Sequence, residues 1–221
     1  PYAVVLQHAV YQDAIFEIQP ASFEVVLESG EHFLFPGLPP TDQQVNDIVL
    51  AQYLHAGGRL QDDNGDSVLD PDPLLTVLNF YAEGLDRDIF GNDVITYDEV
   101  RDYWLQFLNR DVPFVLVNST LYLQHYEQLQ DVSVTSIPTP GGETLVLADG
   151  WMWTLITADP QHQDAALAFM EWMMRPTQHA RYTEAFGILP SQRPTLRIWE
   201  NEAFAGMVTL WLENSLIVPF E

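Results

Sequence analysis

LVLADGWMWTLITADPQHQDAALAFMEWMMRPTQHARYTEAFGILP, residues 145–190, decides the fold class. The run over 145–157 is rich in β-branched and aromatic residues and broken only by Asp149-Gly150, which predicts a buried strand with a bend or close approach in it. Asp159-Pro160 then supplies an N-cap acceptor and a first helical residue with preset φ. Ala165, Ala166, Phe169, Met170, Met173 and Met174 recur at helical spacing and predict one apolar stripe, ended by Arg175-Pro176. A second helix carries Tyr182 and Phe186 at i, i+4 and stops at Gly187, a residue suited to a left-handed cap. Ile188-Leu189-Pro190 leaves it as an extended exit.

Composition bounds what such a unit can be. With 221 residues, 47% hydrophobic and 12% aromatic, the chain can bury a substantial core. No apolar run reaches the length of a membrane span, and the opening Pro1-Tyr2-Ala3-Val4-Val5 has no basic n-region or cleavage site. There is no cysteine, which excludes disulfides and thiol catalysis. Eight basic residues, all arginine, face 32 carboxylates, for a formal net charge of −24. A surface of that sign repels phosphate backbones and anionic membranes, so nucleic acid is excluded as a partner. A neutral ligand, a cation, a basic partner, or a surface that only keeps the protein soluble all remain compatible.

Outward from the opening stretch, residues 1–16 read as one strand or two short ones, and Ser22 as an N-cap for a helix cut short at Ser29-Gly30. No helix crosses the proline-rich end of EHFLFPGLPP, residues 31–40. Thr41 or Asp42 is expected to cap a helix running to His55, with Val45, Ile48, Val49, Gln52 and Tyr53 on one face and Ala56-Gly57-Gly58 at its end. Asp62-Asp63-Asn64-Gly65-Asp66 fails as a calcium loop: with Gly65 sixth, position one is Leu60, so a turn is the expectation. A helix over 71–90 uses Leu74, Leu75, Val77, Leu78 and Tyr81; a second, opened by Tyr97-Asp98-Glu99, uses Val100, Trp104, Phe107 and Leu108. Strands are expected over 112–118 and 131–140, and a last amphipathic helix around Phe204, Met207, Leu210 and Trp211.

As an ordered series these pieces resemble the extracytoplasmic solute-binding proteins of ABC importers, the maltose-binding-protein-like family 1 that binds sugars and oligosaccharides. The matching residues are Asp149-Gly150-Trp151, Ala166, Phe169, Trp172-Met173, Gln178 and Gly187-Ile188-Leu189-Pro190. Further matches are Pro1 with Val10-Tyr11-Gln12, Pro20 to Glu24, Ala56-Gly57-Gly58 with Leu69-Asp70-Pro71, and the "I-P-x-P" of Ile137 to Pro140. Gln12 stands for the usual Asn, Phe23 for Trp and Ser119 for Gly, and Tyr122 is shifted by one from the family's aromatic.

The resemblance implies an α/β, periplasmic-binding-protein-like type II fold, here mainly one lobe of a two-lobe protein without the family's opening segment and tail. Residues 1–221 then form a single α/β unit, mostly the C-terminal lobe, with 156–199 assigned either to it or to inter-lobe or other-lobe helices. It further implies an extracytoplasmic location, a membrane permease as partner, and carbohydrate binding between lobes without chemistry or cofactor.

The residues themselves carry no catalytic signature. His8, His32, His55, His125, His162 and His179 lack metal-ligand spacing, and no GxSxG, P-loop or GxGxxG occurs. Sugar recognition asks instead for flat aromatic faces beside planar amides and carboxylates. The ligand-binding candidates are Trp151 and Trp153 flanking Gly150, Asn118 and Tyr122 at the end of another strand, and Asn46 and Asp47 at a helix start. Alternation of Trp151 and Trp153 is equally what a core strand shows. Two rivals stay open: a carbohydrate-active hydrolase with paired carboxylates including Asp149, and an acidic interaction module with no small-molecule site.

Overall fold

A computed structural model describes residues 2–39, 45–199 and 202–217. Its centre is β1, Ala3–Gln12, a single ten-residue strand where one or two were expected. Its residues are mostly apolar and largely buried on both faces, as suits a central strand. The other strands are β2 (Phe33–Leu34), β3 (Phe114–Asn118), β4 (Val132–Thr135), β5 (Val146–Trp151), β6 (Leu189–Pro190) and β7 (Ser215–Leu216). β3 and β5 flank β1 antiparallel, with Gln7 opposite Asn118 on one side and Leu147 on the other. β4 continues the β5 edge along Ala9 to Gln12, and β6 pairs with Ala3 and Val4. β2 runs parallel to β3, and β7 parallel to β5.

The helices are α1 (Phe23–Ser29), α2 (Asp47–His55), α3 (Pro71–Asp86), α4 (Trp104–Leu108), α5 (Ser119–His125), α6 (Pro160–Met173), α7 (Pro176–Phe186), α8 (Arg193–Leu196) and α9 (Glu202–Glu213). Most ends follow the local chemistry expected of them. Ser22 accepts from the Val25 amide at 3.2 Å, and Asp159 from Gln161 and His162 at 2.8 and 3.3 Å. Gly30 and Gly187 close α1 and α7 in the left-handed region, at φ 67° and 62°. Asp62 folds its own loop by accepting from the Asn64 and Asp66 amides, a turn as expected.

Several expectations are corrected. The strand over 145–157 ends at Trp151, because the partner strand β1 begins at Ala3, opposite Trp151. α2 starts at Asp47 and is capped by Asn46; Thr41 and Asp42 lie outside the described residues. The helix expected from Tyr97 is split into short 3-10 turns and α4, since Asp102 turns back to accept from the Asp98 and Glu99 amides. Pro113 has no amide proton to give a ladder, and β3 begins after it. On α3 the inward face is Val77, Phe80 and Gly84, while Leu75 and Leu78 are exposed. The final helical segment buries Phe204 and Trp211; Leu210 is not among the described side chains.

The core divides unequally. Most buried residues form one cluster around the sheet and α1 to α5. Tyr2, Ala3 and Met173 form a second, small one with Met174, Tyr182 and Ile188 packed against it. The apolar stripe of α6 is thus a stripe without a cover: Met173 is buried, whereas Phe169 and Trp172 are 50% and 44% exposed. Met152, Leu155 and Ile156, in the stretch that follows β5, are exposed as well.

Candidate functional site

The end of β5 builds the site. Gly150 pairs with Val4, and a Cβ placed on it would meet the Ala3 carbonyl oxygen at 2.5 Å. The glycine thus lets β5 approach β1 and carry Trp151 to the rim, where the Trp151 carbonyl accepts from the Tyr2 amide at 2.6 Å. Past that bond the chain leaves the sheet. The indoles of Trp151 and Trp153 are 52% and 43% exposed. Neither is core.

Beneath them lies a pocket of about 430 Å³. It is lined by Tyr2, by Thr120 and Gln124 of α5, and by Tyr182 and Phe186 of α7. Met152 and Ile188 complete the lining together with the two tryptophans, and none of these side chains is ionisable at neutral pH. The Tyr2 ring meets Trp153 edge-on at 4.9 Å and Tyr182 at 5.3 Å. Burial foremost, then the adjoining Tyr182 phenol, raises the Tyr2 hydroxyl well above the ordinary tyrosine range. The two phenols are close, yet no hydrogen bond of acceptable geometry reaches Tyr2 Oη; Thr120 Oγ1, buried beside the same space, likewise has no partner.

α5 is held rigidly at this wall. Asn118 caps it by accepting from the Leu121 amide at 2.8 Å, and Ser119 Oγ accepts from the Leu6 amide at 3.1 Å. α7 is held through His179, whose Nε2 lies 2.7 Å from the Tyr2 carbonyl.

Of the seven residues singled out from the sequence, the structure brings Trp151, Gly150 and Trp153 together. Asn118 stands behind the pocket as the cap that orients α5. Tyr122 is withdrawn from any ligand-facing role: it is 5% exposed, packed between His8 and Phe204. Asn46 is committed to local structure, accepting from the Ile48 and Val49 amides and donating to the Pro36 carbonyl at 2.8 Å. Asp47 is exposed at the first turn of α2. Partial burial and then the nearby Asp149 raise its carboxyl above the ordinary range. Tyr2, Thr120, Gln124, Tyr182 and Phe186 were not foreseen, because nothing local in the sequence signals that these distant segments share a wall. Among the described residues no cluster of His, Asp and Glu could hold a metal ion.

The sequence matches no family model and no curated protein sequence. Solved structures do match. Maltose-bound T. maritima MalE3 superposes with a TM-score of 0.82 at 18% identity over 99% of this chain and 61% of that one. The fold is that of the sugar-binding proteins of ABC transporters. The GacH receptor of Streptomyces glaucescens, solved unliganded and with acarbose, gives 0.75 at 14% identity over 99% and 60% of the two chains. The sugar-binding protein MalE from Xanthomonas citri gives 0.72 at 18% over 99% and 59%. The present chain therefore spans about three fifths of the length of these solute-binding folds, in keeping with one lobe. No helix of the described residues is long and apolar enough to cross a membrane.

Proposed function

We propose that this chain is part of the extracytoplasmic substrate-binding component of an ABC importer, and that it holds a carbohydrate between two lobes without reacting with it. The observation that carries the reading is the pair of half-exposed indoles, Trp151 and Trp153, over an uncharged pocket of about 430 Å³. Indole faces cover the C–H faces of pyranose rings, and a pocket of this size falls in the range that takes a small ligand. Asp47 and Asp149, close enough to influence one another, offer carboxylates to sugar hydroxyls at the rim of the sheet. In the whole protein a second lobe closes on the ligand, the exposed face of α6 lies toward that lobe, and the closed form is what the membrane permease engages.

Thermal unfolding of this chain and of the two-lobed protein, with and without saccharides, tests this, the larger response being expected in the two-lobed form. A ligand at a hundred times its Kd stabilises the folded state by about 2.7 kcal/mol. At least one neutral mono- or oligosaccharide is expected to raise Tm, and Trp151→Ala to abolish the rise. Turnover of a chromogenic glycoside, lost in Asp149→Asn, would establish a hydrolase instead. A folded two-lobed protein that answers to no saccharide removes the carbohydrate reading.

A further inference from the structure

α3 is apolar on two sides. Val77, Phe80 and Gly84 face the core, whereas Leu75, Leu78, Ala82 and Leu85 are exposed. These four stand at i, i+3, i+7 and i+10, so at about 100° per residue they share one side of the helix. A 3-4-3 spacing is that of a seam between two helices, and on α3 it faces solvent.

The carboxylates of the helix gather on one flank of that stripe. By the same spacing Asp72, Glu83 and Asp86, all exposed, lie on the side that carries Asn79. Asn79 and Glu83 line a groove of about 490 Å³ between α3 and α1. The groove joins apolar surface, Phe23 stacked on Phe80 at 4.0 Å, to two more carboxylates, Glu24 and Glu28. Its arginine is engaged: Arg87 pairs with Glu83 and donates to the Leu27 carbonyl at 3.2 Å. Among the described residues Glu24, Glu28, Asp72 and Asp86 make no ion pair.

Charge decides what can cover such a face. A second copy would set the same carboxylates against these, in a chain of net charge −24, and an anionic membrane is repelled by the same field. A helix with one apolar side and a basic flank meets both demands: its apolar side lies on the leucines, and its lysines or arginines reach the four unpaired carboxylates. We infer that the outward side of α3, with the groove toward α1, docks a basic amphipathic helix of a partner protein. This face shares no residue with the pocket beside Trp151, so docking here does not depend on the carbohydrate reading.

Fluorescence anisotropy with labelled peptides tests the inference on this chain and on the two-lobed protein. The probe is a hydrocarbon-stapled helix with leucines at i, i+3, i+7 and i+10 and lysines along one flank. One control carries glutamate for lysine; the other has the probe's residues scrambled. Both proteins are expected to bind the probe about tenfold or more tighter than either control. Leu78→Gln with Leu85→Gln is expected to weaken it about tenfold or more, at unchanged Tm because both side chains are exposed. Asp72→Asn with Asp86→Asn is expected to weaken it about fivefold in low salt, a difference that high salt removes. Leu105→Gln with Asp164→Asn, exposed elsewhere, is expected to leave binding as it was. Equal binding of a control, or an equal loss from that remote pair, overturns the inference, since any acidic surface would then serve. Binding to this chain but not to the two-lobed protein makes the second lobe the cover of this face and overturns it. A dimer in sedimentation that Leu78→Gln with Leu85→Gln dissolves makes a second copy the occupant and overturns it. Absence of binding by both proteins overturns it as well.

Discussion

His179 donates from Nε2 to the carbonyl oxygen of Tyr2 at 2.7 Å, joining residues 177 positions apart in the chain. A carbonyl only accepts, so the ring proton is on Nε2, and Nδ1 is left to accept from the Thr195 hydroxyl at 3.3 Å. Ser191 Oγ donates to the same Tyr2 carbonyl at 3.2 Å. One peptide group at the start of β1 thereby anchors α7, α8 and the residue after β6. His179→Ala removes both bonds and leaves a cavity, and is expected to cost about 2–4 kcal/mol in denaturant unfolding. His179→Gln, which can restore the donor to Tyr2, is expected to recover part of that loss. A His179→Ala protein as stable as wild type would show that the junction is not held here.

Acid destabilises the chain through its buried imidazoles. Burial lowers the His179 pKa, and that of His8 to about 4. Above pH 6.5 both are neutral whether folded or unfolded. As pH falls from 6.5 towards 4 the unfolded chain takes up protons that the folded chain refuses, so stability is lost across that window; the His8 shift alone corresponds to about 3 kcal/mol. His8→Phe keeps an aromatic ring beside Trp211 and removes the titration. Relative to wild type, this variant is expected to gain about 3 kcal/mol between pH 7 and pH 4, measured in high salt to screen the carboxylates. A constant difference between the two proteins across that range would contradict the assignment.

Salt stabilises. The chain carries 32 carboxylates against eight arginines, and in the described ion pairs of arginine, with Asp70, Glu83 and Glu213, every arginine is exposed to solvent. The remaining like charges repel in the compact state more than in the expanded one, and this repulsion is screened over about 10 Å at 0.1 M. Raising sodium chloride from 0.02 to 0.5 M is expected to lift Tm by several degrees, roughly 2–4 °C per kcal/mol gained. A falling Tm would mean that specific ion pairs outweigh the net repulsion.

The two faces of α6 respond differently to substitution. Met173 is 8% exposed within the small cluster beside Tyr2, so Met173→Ala is expected to cost about 2–3 kcal/mol. Phe169 is 50% exposed, and Phe169→Gln is expected to change stability by no more than about 0.5 kcal/mol while lowering the tendency to self-associate. Sedimentation and denaturant melts on the two variants check both halves.

Asn46 and Gly150 separate structure from ligand contact. Asn46→Ala removes a cap that satisfies two amides and is expected to cost about 1 kcal/mol with affinity unchanged. Gly150→Ala drives a methyl against the Ala3 carbonyl and is expected to cost about 1–3 kcal/mol and to weaken binding, because Trp151 moves with the strand. Equal binding losses in the two variants would instead make Asn46 a ligand contact.

What the sequence by itself determined is what is decided within a turn or two of chain. Asp159-Pro160 starts α6 and Gly187 ends α7 because orphan amides and carbonyls are satisfied by the nearest suitable residue. The turn at Asp62 and the cap at Ser22 are legible for the same reason, and the ordered series of these elements carried the resemblance that the superpositions bear out at the level of fold. Tertiary structure alone decided which apolar residues are covered. Trp151 ends β5 and Tyr122 follows β3 on α5, yet Tyr122 is in the core and Trp151 half in water, because α5 packs Tyr122 against His8 and Phe204 while β1 begins only opposite Trp151. The pocket is decided the same way: residues 2, 120–124, 151–153 and 182–188 share its walls only through the pairing of β1 with β5 and the bond from His179 to Tyr2. Contacts across such separations depend on strand register and helix docking, which no periodicity along the chain records.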